Sequence, residues 1–294
     1  MAYDYLVFLG GDRLSDLRRK SSVTQHRPIW APDEVEIEKP STARMYDFYL
    51  GGSHNFAADR QLAARTIEAW PDVPHLCQAN RAFLRRSVNH LASIGVDQFL
   101  DLGSGIPTAG NVHEVVHAAN PEARVVYVDA DAVAIAHSKA LLAQVPGAVA
   151  VYADLRDPEA VLGSSEVAGF LDLARPVALL MYASLPFVPD EDDPIAIAAA
   201  YRDATAPGSY LALSHGTSDY RPEAVRRVED VYTQASHAMR LRPRSDIAAM
   251  MEGYELLDPG LVDIIHWRPE PQSPPDPLGG DVARYSMLGA VGRR

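Results

Sequence analysis

The sequence predicts an α/β protein: a helical segment followed by an open, mostly parallel sheet covered by helices on both faces. Three observations predict it. From Gly95 onward, short apolar runs alternate with helix-length segments, which is the pattern of parallel strands joined by right-handed crossovers. The first three runs end at or beside an aspartate, Asp101, Asp129 and Asp154, and an open parallel sheet binds its ligands beyond such strand ends. Residues 41–95 instead carry helical spacing interrupted by glycine and proline.

The elements follow in chain order. Residues 1–40 lack periodicity, are broken by Pro28, Pro32 and Pro40, and hold the acidic run Asp33, Glu34, Glu36 and Glu38; they are expected to form an N-terminal arm. Residues 41–96 are expected to form a helical lid. Ser41 is placed to cap a helix running through Tyr49 and stopped by Gly51-Gly52, and Asn55 to cap a second helix ending before Pro71. A third helix spans about Pro74 to Ile94, with Leu76, Ala79, Phe83, Leu84, Val88 and Leu91 on one stripe and Gly95 as its stop.

Residues 97–294 are expected to form the ligand-binding domain. Its strands are read at Gln98–Leu102, Arg124–Asp129, Ala148–Tyr152, Pro176–Tyr182 and Ser209–Ser214, with helices over Ala109–Ala119 and Asp131–Ala143. Two further helices are expected over Pro222–Met239 and Ser245–Met251, then strands near Tyr254–Leu257 or Val262–Trp267, and at Arg284–Val291. Five prolines make Arg268–Gly280 a loop.

Composition narrows the function. A net charge of −12 argues against a nucleic-acid surface, which needs clustered Lys and Arg. The single cysteine, Cys77, rules out an intramolecular disulfide and any cysteine-based metal cluster, and the ten histidines show no metal-ligand spacing, so no metal is expected. No apolar run is long enough to cross a bilayer. The apolar stretch Tyr5–Leu9 is followed, not preceded, by its positive charges, the wrong order for a secretory signal. A soluble cytoplasmic protein without membrane partners is expected.

The first strand ends Asp101-Leu102-Gly103-Ser104-Gly105-Ile106-Pro107-Thr108. Gly103 and Gly105 let the backbone turn tightly and come close to a ligand. A dinucleotide site would place a third glycine where Thr108 stands, and an acid at Asp101 disfavours a pyrophosphate while favouring a cation. Asp129 can accept from both hydroxyls of a ribose. Asp154 can accept from an exocyclic amine, with Ala130 and Leu155 as apolar walls for a purine. The ligand read from these residues is a nucleoside bearing a positive group and no phosphate.

Asp101–Gly105, Asp129 and Asp154 resemble the first three motifs of class I S-adenosylmethionine-dependent methyltransferases. The chain is more similar still to an actinobacterial-type S-adenosyl methyltransferase family of unassigned substrate. That similarity is carried by Lys39–Gly52, Asn55–Arg60, Ala79–Arg86 and Pro107–Glu114, within roughly residues 28–294. The resemblance implies a Rossmann-like methyltransferase fold with seven strands, the last antiparallel, and S-adenosylmethionine as cofactor. Its amino-acid end would lie at Asp101, Gly103, Ser104 and Gly105, its ribose at Asp129, and its adenine beside Ala130, Asp154 and Leu155.

Tyr46 and Asn55 of the lid are expected to close over the cofactor, and Arg81 to meet its carboxylate or an acidic substrate. A lid keeps water from the reacting centre. His215, at the end of the fifth strand, is the candidate catalytic base. The fourth strand runs into Tyr182-Ala183-Ser184-Leu185-Pro186-Phe187 and lacks the Asn/Asp-Pro-Pro-Tyr signature of amino-group methylation on nucleic acids or proteins. The expected activity is methyl transfer to an oxygen or nitrogen of a small molecule. A non-catalytic cofactor-binding sensor stays open as an alternative, an NAD-dependent oxidoreductase is disfavoured by Asp101 and Thr108, and the oligomeric state is left open.

Overall fold

The computed structural model describes residues 35–107, 110–270 and 275–294. The expected arm up to Glu34, Thr108 and part of the proline-rich loop lie outside the described residues.

In chain order the elements are α1 (Thr42–Tyr49), α2 (Ala57–Ala69), α3 (Val73–Ser93), β1 (Gln98–Leu102), α4 (Val112–Ala119), β2 (Arg124–Asp129), α5 (Ala132–Leu142) and β3 (Ala148–Tyr152). There follow α6 (Pro158–Leu162), α7 (Ser165–Phe170), β4 (Ala178–Tyr182), α8 (Pro194–Asp203), β5 (Tyr210–Gly216), α9 (Pro222–Tyr232) and α10 (Arg244–Ala249). The chain ends with β6 (Glu255–Leu256), β7 (Val262–Asp263), α11 (Val282–Tyr285) and β8 (Met287–Arg293). The first three strands fall on the runs read from sequence. The helix expected over Pro222–Met239 stops at Tyr232, and residues 233–241 turn back toward the sheet.

The sheet order is β3-β2-β1-β4-β5-β8-β6, with β7 also on β8. The first five pair in parallel, and β8 runs antiparallel to β5. Seven positions hold eight strand segments. β6 and β7 share the edge beside β8, pairing Leu256 with Gly292 and Val262 with Gly289. Residues 257–261 loop out between them, so one edge strand is split in two. Both stretches offered as alternatives for a late strand are therefore used.

Side-chain alternation assigns the faces. Leu100, Val126, Leu179 and Leu213 point to the core shared with α8 and α10. Phe99, Tyr127, Leu180 and Ala212 point to the opposite core, filled by Phe83, Leu84, Val88 and Leu91 of the α3 stripe. A third core joins α1, α2 and the start of α3 to α9 through Met45, Leu62, Trp70, Cys77 and Val228. Gly95, at φ +93°, ends the α3 turn as expected.

The amino-terminal helices are tied by a buried ion pair. Arg44 Nε donates to Asp59 at 2.8 Å, and Asp59 also accepts the backbone N–H groups of Ser41 and Phe56. Asp59 thereby caps α2, the role expected of Asn55. Ser41 stands at the N-cap position of α1, but its hydroxyl donates to Asp131 instead of the helix. That contact stitches the helical segment to the loop after β2.

Candidate active site

The carboxyl ends of β1, β2, β3 and β4 open on a cavity of about 200 Å³. Asp101, Gly103, Ser104, Gly105, Asp129, Ala130, Asp154 and Leu155 all line it. Strand parity explains the convergence. Asp101 follows Phe99, and Asp129 follows Tyr127, on the face that α3 covers.

Backbone bonds fix the glycine loop. The N–H groups of Gly103 and Ser104 both donate to Val128 O, at 2.9 and 3.0 Å. Gly105 N donates to Asp129 Oδ2 at 2.7 Å, while Asp131 N donates to Oδ1. Gly103 has φ +77°, and a Cβ there would lie 2.5 Å from Ser184 Cβ. Glycine is therefore required both by conformation and by space.

Burial makes the two inner carboxylates costly as anions. Burial pushes Asp101 up to about 7, with Arg81 opposing and Asp129 reinforcing the rise. Burial likewise lifts Asp129 to about 6, against the hydrogen bonds it accepts from Asp131 and Gly105. A cation placed between them would favour both ionised forms. Asp154 is more open. Burial pushes its carboxyl up, but the Arg156 guanidinium holds it below the usual range through contacts of 2.6–3.1 Å, and Arg156 also reaches Asp192. An exocyclic amine at Asp154 would share it with Arg156.

Arg81 lines the cavity and donates to Gly110 O at 3.0 Å. Its Nε, together with the hydroxyls of Ser104 and Ser184, is buried without a hydrogen-bond partner among the described residues. Buried polar atoms left over in this way are costly unless a ligand or water completes them. Tyr46 also lines the cavity; its hydroxyl donates to Cys77 O and accepts from Asn80, whose carbonyl accepts from Ser214.

Asn55 departs from the expectation. It is not among the cavity-lining residues. Its amide donates to Asp47 Oδ2 and Gly52 O, and the Asp47 carboxylate fills the space that a Cβ at Gly52 would need. Asp47, Gly52 and Asn55 thus close a self-contained turn after α1.

His215 departs further. Its ring is fully buried on the face of β5 away from α3, and it does not line the cavity. Nδ1 donates to Gly216 O at 2.7 Å, which leaves Nε2 to accept from Arg242 Nη1 at 3.2 Å. Burial, reinforced by the Arg242 charge and opposed by the Gly216 bond, pushes its pKa down to about 3. With both ring nitrogens engaged and the ring outside the cavity lining, the placement of His215 does not support the expected role of base. Arg242 in turn holds the carbonyls of Leu185 and Val188 and pairs with Asp190.

Several cavity residues escaped the sequence reading: Ser41, Asp131, Arg156, Tyr182, Ser184 and His237. Asp131 carried a signal, being the N-cap of α5 that accepts from Val133 and Ala134. His237 carried none, because the helix was expected to continue through it. Among the described residues no three His, Cys, Asp or Glu side chains gather as a metal site.

The mostly parallel sheet places acids at adjacent strand ends, a glycine loop between them and, among the described residues, unpartnered donors around one hollow, an arrangement of the Rossmann-like class that suits a cationic ligand. The S-adenosyl methyltransferase family model matches residues 28–294, and the chain belongs to that family. A DUF574 family protein from Streptomyces avermitilis is 39% identical, with 88% of this chain and 100% of that one covered and a TM-score of 0.83. A methyltransferase candidate from Thermobifida fusca is 36% identical, covering 91% and 99%, with a TM-score of 0.84. No curated protein is similar by sequence. The protein is an S-adenosylmethionine-dependent methyltransferase with a Rossmann-like fold; the sensor and oxidoreductase alternatives are set aside.

Proposed function

We propose that this enzyme methylates an oxygen or nitrogen atom of a small molecule. In this reading Asp101 and the loop Gly103-Ser104-Gly105 hold the amino-acid end of S-adenosylmethionine, and Arg81 meets its carboxylate. Asp129 takes the ribose, and Ala130 and Leu155 flank the adenine beside Asp154. When bound, the cofactor would supply a methyl group activated by its cationic sulfur, open to bonding by an acceptor lone pair with the sulfur leaving as a neutral thioether.

The observation that carries the reading is the pair of carboxylates, buried Asp101 and half-buried Asp129, facing one cavity with their proton affinities raised. The chain's own residues do three things there. They offer a negative pocket to the cationic sulfur, fix the glycine loop by backbone bonds, and exclude water. Exclusion falls to the lid over 41–96 and the segment after α9, above the domain over 97–294. Support comes from Ser41 reaching Asp131, from Ser236 N donating to Pro40 O at 2.8 Å, and from Thr42 N donating to Ser236 Oγ at 3.3 Å.

The choice of a small acceptor over a nucleic acid rests on charge. Four aspartates line the cavity, against Arg81, Arg156 and His237 as its basic groups, whereas a polyanion needs a basic track. No described helix is long and apolar enough to cross a membrane, and we place the enzyme in the cytoplasm. Calorimetry with S-adenosylhomocysteine, followed by transfer of labelled methyl into a metabolite extract or into nucleic acid, tests the reading. Label in a low-mass component is expected; label only in nucleic acid would reject it.

A further inference from the structure

We infer that the acceptor part of the cavity takes a neutral, planar aromatic molecule, held against Tyr182 and Phe187 and hydrogen-bonded by Ser184. The inference rests on the proposed cofactor placement at Asp101 and Asp129 and names the substrate class that this placement leaves room for.

The segment after β4 carries the argument. Residues 182–188 read Tyr-Ala-Ser-Leu-Pro-Phe-Val and bring no charged side chain to the cavity. Tyr182, Ala183, Ser184, Phe187 and Val188 all line it, with Leu84 of α3 and Tyr46 of α1 nearby on its wall. The hydroxyls that would make this wall polar already have partners within the protein. Tyr182 OH pairs with Ser87 Oγ at 2.6 Å, and Tyr46 OH is engaged by Cys77 and Asn80. What remains toward the cavity is ring and aliphatic surface. Its rings are braced from behind, Tyr182 edge-on to Phe83 and Phe187 against Tyr232, each at a centroid distance of 5.7 Å. Flat apolar walls of this kind favour a flat apolar guest through offset or edge contacts.

One polar atom is offered to that guest. Ala183 has φ +54°, a left-handed conformation that a residue with a Cβ rarely adopts. Its N–H donates to Ser214 O at 3.0 Å, which holds the turn. The turn sets Ser184 directly over Gly103, only 7% exposed and with its hydroxyl lacking a partner among the described residues. A hydroxyl can donate or accept, so it can orient a ring hydroxyl, amine or ring nitrogen next to the cofactor loop. An anionic guest is disfavoured on balance, because four aspartates line the cavity and Arg81, the cation beside Tyr46 and Tyr182, is taken by the cofactor carboxylate in the proposed placement.

The test uses the full chain loaded with S-adenosylhomocysteine, and reads binding by calorimetry. The probes are 2-naphthol and 6-aminoquinoline as neutral planar guests, cyclohexanol as a neutral non-planar one, 2-naphthoate as an anion, and a single-stranded oligonucleotide. The two planar neutral probes should bind at least roughly tenfold tighter than the others. Phe187→Leu, which keeps apolar bulk but removes the ring, should weaken them roughly fivefold, and Ser184→Ala roughly tenfold. S-adenosylhomocysteine affinity and melting temperature should stay nearly unchanged in both variants. Equal binding of cyclohexanol or 2-naphthoate, preference for the oligonucleotide, or indifference to both substitutions would overturn the inference while leaving the cofactor site standing. Failure of S-adenosylhomocysteine to bind the folded wild-type chain would instead remove the cofactor placement on which it rests.

Discussion

Gly105 N–H points at the Asp129 carboxylate and lies 2.7 Å from Oδ2. One bond thus joins the loop after β1 to the end of β2, and makes Asp129 both a loop anchor and a proposed ribose partner. Its other oxygen accepts from Asp131 N, yet a carboxylate retains further lone pairs for hydroxyl groups.

Replacing Asp129 tests both duties. Asp129→Ala should weaken S-adenosylhomocysteine binding by about 1–3 kcal/mol, the scale of a lost charge-assisted hydrogen bond. Asp129→Asn keeps an acceptor for Gly105 and should fall between the two. Calorimetry on the folded variants checks this, and unchanged affinity in Asp129→Ala would remove the residue from the site.

Affinity should also depend on pH with a definite sign. Asp101 is raised to about 7 and Asp129 to about 6 by burial. The ligand-free fold therefore binds more protons than the unfolded chain between about pH 4 and 7, and these groups make it less stable as pH rises through that window. A bound cation favours the ionised carboxylates, so binding should release protons there. S-adenosylmethionine affinity, and the melting-temperature increase it causes, should grow from pH 5 to pH 8. Calorimetry in buffers of different ionisation enthalpy reads the proton count, and proton uptake on binding would contradict the electrostatic reading.

The strand ends were legible because they depend on local pattern. An apolar run ending in Asp is visible at Asp101 and Asp129, with glycines following the first, without any tertiary knowledge. Which face a residue takes was less legible. In β5, Ser214 and His215 are neighbours, but alternation sends Ser214 toward Asn80 and the α3 face and His215 toward Arg242 on the other. A one-residue offset therefore moved the expected base away from the cavity. Asn55 failed for another reason. Its amide is consumed by Asp47 in a turn whose closure depends on Gly52, a long-range fit that capping preferences do not encode. The split edge of β6 and β7 reads in sequence as two rival strands, because two-residue segments acquire strand geometry only by pairing with β8.

Gly103 should tolerate no side chain. With φ at +77° and Ser184 Cβ only 2.5 Å from where a methyl carbon would sit, Gly103→Ala combines backbone strain with a collision. A cost of about 1–3 kcal/mol is expected for the strained conformation, seen as a lower melting temperature and at least roughly tenfold weaker S-adenosylhomocysteine binding. Gly103→Ala with Ser184→Gly removes the collision but not the strain, and should recover only part of both. Full recovery in the double variant would show that the left-handed turn is unimportant.

His215 supplies the sharpest contrast between the sequence reading and the geometry. As a base it would touch the acceptor, and His215→Asn would collapse turnover and remove the acidic limb of the pH–rate profile. The structure gives it another task. Its neutral Nε2 accepts from Arg242, and Arg242 holds the Leu185 and Val188 carbonyls of the segment that carries Ser184 and Phe187. Removing the imidazole leaves a buried guanidinium one partner short, so His215→Asn should cost about 1–3 kcal/mol of stability. Because burial keeps the ring neutral down to about pH 3, the wild-type ring contributes stability that is lost as pH falls from about 6.5 toward 3, and the variant should lose that acid sensitivity. Once an acceptor is in hand, the variant's KM for it should rise more than kcat falls, with the pH–rate profile unshifted. A hundredfold loss of kcat at unchanged melting temperature would restore His215 to the reaction.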